Sequence, residues 1–190
     1  IETMKLKFKW ILFSLVTAFS QISLGDESLN KFIDSHQKEY QQLALKIWEL
    51  AEVGYQEHMS STLLQESLSS KGFKIETLPY MPTGFIAEYG EGDPVIAILG
   101  EFDALPGISQ SSSPFKEKYK NNTAGHACGH HLFGAGSAWS AVTVKEWLSK
   151  NNRTGTIRFY GTPAEEGGSG KVYMVREGLF DDVDVVLHWH

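Results

Sequence analysis

The chain of 190 residues contains a single cysteine, Cys128. With no second thiol, a disulfide within the chain is excluded, and Cys128 is left to be buried, reactive or metal-bound. A basic stripe is also missing. The 17 Lys and Arg against 23 Asp and Glu leave a net charge of −6, spread along the sequence without interleaved aromatics, so nucleic acid is not an expected partner. Long hydrophobic runs are missing too. The most apolar stretch, residues 10–24, falls short of the roughly 20 residues that span a bilayer and contains Ser, Thr and Gln, which argues against a stable membrane anchor. No internal repeat is visible. Hydrophobic residues at 42% and aromatics at 12% can nevertheless bury a core of about one domain.

The N-terminus reads as an address. Met4-Lys5-Leu6-Lys7-Phe8-Lys9 is a basic segment before the apolar stretch, and small residues at Ser23 and Gly25, or Ala18 and Ser20, offer cleavage sites. Residues 1–25 are therefore expected to be a signal peptide, those before Met4 not native. No cysteine follows Gly25 to accept a lipid, so an exported protein, periplasmic or extracellular, is expected.

Beyond it, apolar residues at 29, 32, 33, 40, 43, 47 and 50 recur at helical spacing and predict a helix from 27 to about 52, closed by Gly54. A second helix is predicted over about 56–71 and a strand over 73–78, with Pro79 and Pro82 making the turn. Residues 84–89 and 94–99 read as strands around the turn 90–93, the second apolar enough for a buried position. The polar segment 106–122 is longer than a simple link and suggests a binding loop. Then helix (131–150), strand (156–160), short helix (171–177) and strand (183–189) alternate, which predicts an α/β/α sandwich.

Polar clusters fall just past the predicted strand ends, where open α/β sheets place ligands. They are Glu101-Phe102-Asp103, Pro163-Ala164-Glu165-Glu166 and His188-Trp189-His190. A fourth, His126-Ala127-Cys128-Gly129-His130-His131, leads into a helix. Imidazole, thiolate and carboxylates make a ligand set for zinc or a similar divalent ion. Residues two apart do not share a helix face, so Cys128 and His130 converge only if their segment is a turn, which Gly125 and Gly129 permit. His126 is also available to an ion. Of Glu165 and Glu166, one can hold a cation while the other takes a proton from water. Asp103 reads equally well as a turn cap or a site residue. His188 and His190 share a strand face, so both or only one of them would face the site. The glycine run 167–170 lacks the Lys-Ser/Thr of a phosphate loop.

Taken together, "GEFDALPGISQ", "AGHACGHHLFGAG", "GTPAEEGGSGKVYMVREGLFDDVD" and "VVLHWH" closely resemble the amidohydrolase branch of the aminoacylase-type dinuclear metallopeptidases, over about residues 30–190. The resemblance implies a zinc-peptidase-like catalytic domain with two divalent ions, zinc or manganese, held by Cys128, His130, Glu166 and His190. Glu165 would be the general base and Asp103 a support beside the ions. The implied substrate is a small molecule with an amide between an acyl or aroyl group and an amino acid. His131 departs from the pattern, which usually has Asn or Asp there. The resemblance also implies a longer protein, with a lid domain that forms a homodimer and a last metal-binding histidine. Residues 26–190 are then the N-terminal part of the catalytic domain, the lid and its C-terminal part lie outside this chain, and the piece alone is expected to be inactive. The alternative is a non-catalytic metal-binding fragment or a pseudogene product.

Overall fold

The computed structural model of the protein describes residues 27–190. The expected signal peptide lies outside the described residues. The chain divides into two compact units, one running to Ser35 and the other from His36 to His190. Of the first, residues 27–35 form the opening turns of helix α1 (Glu27–Leu50). All remaining elements belong to the second.

In that unit α1 buries Tyr40, Leu43, Ala44 and Ile47, a stripe at the spacing the 3.6-residue repeat demands. Helix α2 (His58–Ser70) follows, then β1 (Lys74–Leu78), β2 (Met81–Glu91) and β3 (Val95–Glu101). The short pair β4 (Leu105–Pro106) and β5 (Ala124–Gly125) closes the base of the long polar loop. Helix α3 (His130–Lys150), β6 (Gly155–Thr162), the kinked turn α4 (Glu165–Gly168), α5 (Gly170–Arg176) and β7 (Val185–Leu187) complete the chain.

The main sheet has the order β1-β2-β6-β3-β7, with β3 parallel to β6 and β7, and β2 antiparallel to β1 and β6. It is a mixed α/β sheet with helices on both faces, as the alternation of elements predicts. Helices α2 and α3 pack on one face; on the other, Met174 of α5 closes a cluster with Ile86, Ala97, Leu99 and Tyr160. Tyr40 of α1 stacks on Trp139 of α3, ring centroids 4.3 Å apart. Among the described residues no helix is long and apolar enough to cross a membrane.

Three details differ from the sequence reading. The consecutive strands β2 and β3 are not neighbours, because β6 returns through the crossover α3 and inserts between them. Pro82 lies inside β2 rather than in the turn. Pairing jumps from Leu78↔Met81 to Thr77↔Phe85, so Pro82 sits in a bulge where its missing N–H costs no ladder bond. Strand β7 is shorter than expected: Asp184 exchanges hydrogen bonds with the Val95 backbone at 2.8 and 2.9 Å and fixes where pairing begins.

What positions the site is the close approach of α3 to β3. A Cβ on Gly134 would lie 2.7 Å from the carbonyl oxygen of Glu101, so only glycine lets the helix this near the strand end. Gly134→Ala should therefore destabilise the fold by about 1–3 kcal/mol, lowering Tm by several degrees in a thermal melt. An unchanged Tm would show that the approach is not tight.

Candidate metal centre

Because β3, β6 and β7 are parallel and in register, their carboxyl ends meet at one edge of the sheet, with Glu101 opposite Thr162 and Ile98 opposite Leu187. The residues just past those ends are thereby brought together. Gly129, at φ 90°, turns the chain sharply into α3, so that Cys128 and His130 approach each other across a turn rather than along a helix.

His130 is at the centre and fully buried. Its Nδ1 is 2.9 Å from Asp103 Oδ1, which fixes the ring and leaves Nε2 to face the surrounding carboxylates. Around Nε2 lie Glu101 Oε2 at 3.2 Å, His190 Nε2 at 3.3 Å, Glu165 Oε2 at 3.6 Å and Glu166 Oε1 at 3.9 Å. Burial alone would lower the His130 pKa, but the Asp103 hydrogen bond and the surrounding carboxylates outweigh it and raise it. Burial likewise pushes the Asp103 pKa up, and the bonds from His130 and the Glu166 backbone overcome this and hold it below its usual range.

The rest of the frame is built from backbone and aromatic contacts. Asp103 Oδ2 accepts the Glu166 N–H at 2.8 Å, so one carboxylate orients both His130 and the turn after β6. In that turn Ala164 adopts φ 54° and ψ 44°, a left-handed conformation costing a non-glycine residue about 1–2 kcal/mol. The buried Glu57 holds it there by accepting the Ala164 N–H at 2.8 Å. Past β7, the Trp189 indole N–H donates to Ser137 Oγ at 3.0 Å and its ring packs on Phe133, 4.5 Å between centroids. These contacts pin His188 and His190 over α3.

Among the described residues, two groups of ligand atoms converge: Glu101 with His130 and His190, and Cys128 with His130 and Glu166. The structure thus gathers Asp103, Cys128, His130, Glu165, Glu166 and His190. Cys128 is exposed. Its thiol pKa is pushed up to about 11, first by hydrogen bonding to the Glu166 carboxylate and then by desolvation, so without a cation it is no reactive thiolate. His126 is within 3.1 Å of the Ile47 carbonyl oxygen, and its ring lies tilted against that of His131, 4.9 Å between centroids. Burial first, then neighbouring imidazoles, push the pKa of both to about 4; neither belongs to a converging group. His188 and His190 lie beyond the end of β7, and both reach Glu101, at 3.2 and 3.6 Å. Sequence reasoning placed Glu101 in a strand-end cluster without giving it a role, and missed Glu57 and Lys171. Glu101 was visible as a carboxylate ending a buried strand; nothing local marked the other two.

The donor set fits divalent ions. Glu101 Oε2 and Glu166 Oε1 are buried and lack hydrogen-bond partners, an arrangement that is costly unless a cation completes it. Residues 97–190 match the profile of Peptidase family M20/M25/M40. The chain is 45% identical to a p-aminobenzoyl-glutamate hydrolase polypeptide of Escherichia coli over 162 residues, covering 83% of this chain and 33% of that protein. It is 31% identical to hippurate hydrolase of Campylobacter jejuni, covering 81% and 39%. Among solved structures, the Bacillus subtilis YXEP protein, a dinuclear metal-binding peptidase, superposes with a TM-score of 0.68 at 29% identity, over 81% of this chain and 43% of that one. The chain belongs to the M20 peptidase family. It spans a third to two-fifths of the length of these curated relatives.

Burial pushes the Glu57 carboxyl pKa up to about 7, only partly offset by the hydrogen bonds it accepts. A raised carboxyl pKa favours the folded state below its unfolded value, and that stability is lost as pH rises to about 7, on the order of 3 kcal/mol. Glu57→Gln keeps an oxygen for Ala164 and removes the titration. In thermal melts the variant should match the native chain near pH ~4.5 and exceed it by several degrees near pH ~8. Parallel Tm curves across this range would contradict the assignment.

Proposed function

We infer that this chain carries the metal-binding half of a site that hydrolyses an amide between an acyl or aroyl group and an amino acid, of the p-aminobenzoyl-glutamate or N-acyl-amino-acid type. The observation that carries the reading is the ring of carboxylate and imidazole atoms within 3.9 Å of His130 Nε2. The names of the most similar relatives support the substrate class. Cys128, His130, Glu166 and His190 would hold two divalent ions, zinc or manganese. When bound, the ions supply Lewis acidity, polarising the amide carbonyl and acidifying a water.

Asp103 holds His130 in the tautomer that leaves Nε2 a bare acceptor, protonated at Nδ1. Glu165 stands outside both converging groups, with its side chain 36% exposed and Oε2 3.6 Å from His130 Nε2. That position suits a general base, which takes the proton from the attacking water and passes it to the leaving amine nitrogen. The strained Ala164 turn braced by Glu57 aims Glu165 and Glu166 to different tasks from adjacent positions. Export and a homodimer through a lid domain remain part of this reading; the basic-then-apolar N-terminus supports the first, and the family resemblance the second.

Glu165→Gln should leave metal content intact and lower the turnover of p-aminobenzoyl-glutamate or acyl-amino acids by the full-length enzyme about 100- to 10,000-fold. Cys128→Ser removes a thiolate and should lower the affinity for the ions themselves. Elemental analysis beside kinetics separates the two. A Glu165→Gln protein that lost its ions while Cys128→Ser kept them would reverse the assigned roles, and full-length enzyme inactive on every such amide with metal present would refute the function.

A further inference from the structure

The two carboxylate oxygens of Glu101 have separate surroundings. Oε1 is taken: Lys171 Nζ pairs with it and His188 Nε2 lies 3.2 Å away. Oε2 is buried and without a hydrogen-bond partner, although the residue is only 1% exposed. It points between His130 Nε2, at 3.2 Å, and His190 Nε2, at 3.6 Å, and those two nitrogens are 3.3 Å apart. Donors around a tetrahedral ion at about 2.0–2.2 Å stand about 3.3–3.6 Å from one another, the edge of this triangle.

We propose that Glu101 is itself an ion ligand, completing a Glu-His-His set with His130 and His190. The assignment rests on the two-ion reading above and changes how the ligands divide. Nδ1 of His130 is committed to Asp103, and the single lone pair on Nε2 serves one ion. The compact triangle claims it, because Glu101 Oε2 and His190 Nε2 lie 3.2 and 3.3 Å from that nitrogen while Glu166 Oε1 lies 3.9 Å away. Cys128 and Glu166 are then left to the second ion. Lys171 and His188 hold Oε1 so that Oε2 faces the cation, the role an outer partner plays for a ligating carboxylate.

The rival account makes Glu101 only the counter-charge of Lys171, and the two separate in a metal titration. Zinc affinity, by competition with a chromophoric chelator, and the visible spectrum of the cobalt-loaded protein are measured for the native protein, Glu101→Gln, Lys171→Met and the double variant. Glu101→Gln should weaken binding of one ion at least about 10-fold and alter the cobalt spectrum, Lys171→Met should weaken it less, and the double variant should stay as weak as Glu101→Gln. If removing Lys171 restored the affinity lost in Glu101→Gln, the residue would be a counter-charge and the proposal would fall. Equal affinity in Glu101→Gln and the native protein would overturn it alone. No binding by the native protein would overturn the two-ion reading as well. Should Glu101→Gln not fold by circular dichroism, Glu101→Asp keeps the charge opposite Lys171 and withdraws the oxygen by one methylene; it should lose affinity similarly, and unchanged affinity there would be equally decisive.

Discussion

The centre depends on one carboxylate, Asp103, hydrogen-bonded through both oxygens to different parts of the chain. Oδ1 orients the His130 ring at the head of α3, and Oδ2 fixes the Glu166 backbone after β6. Since Asp103 follows β3, this single group joins the ends of two parallel strands to the start of the helix that crosses between them. The parallel register makes the arrangement possible, and the glycine contact between α3 and β3 brings the imidazole within reach.

Electrostatically the site is a cluster of carboxylates gathered around one buried imidazole. Glu101, Asp103, Glu165 and Glu166 all converge on His130, while Lys171 is the ammonium paired within the cluster. Buried carboxylate oxygens without donors cost free energy in proportion to their desolvation, and a divalent ion is the economical remedy. The raised pKa of His130 has the same origin: a proton partly answers the charge that a cation would answer better.

Much of this was legible in the sequence because the residues concerned follow local rules. The helices of α1 and α3 show in their apolar spacing, and the clusters after β3, β6 and β7 show because a ligand at a strand end needs only the strand to be recognised. The turn that lets Cys128 meet His130 was visible in Gly129. What escaped depends on distance across the fold. Glu57 reaches Ala164 over 107 residues, and Lys171 reaches Glu101 over 70, with no local pattern announcing either. The insertion of β6 between β2 and β3 is a matter of sheet order, to which strand periodicity is blind. The bulge at Pro82 reflects register against β1, which a proline in a turn-like context conceals.

The central claim is that His130 Nε2 faces a cation and that the groups around it are its ligands. Anomalous diffraction from crystals soaked in zinc and measured at the zinc edge tests this directly. The account predicts a peak about 2.0–2.1 Å from His130 Nε2, on the side away from Asp103. Zinc bound only elsewhere, with nothing within bonding distance of that nitrogen, would contradict it.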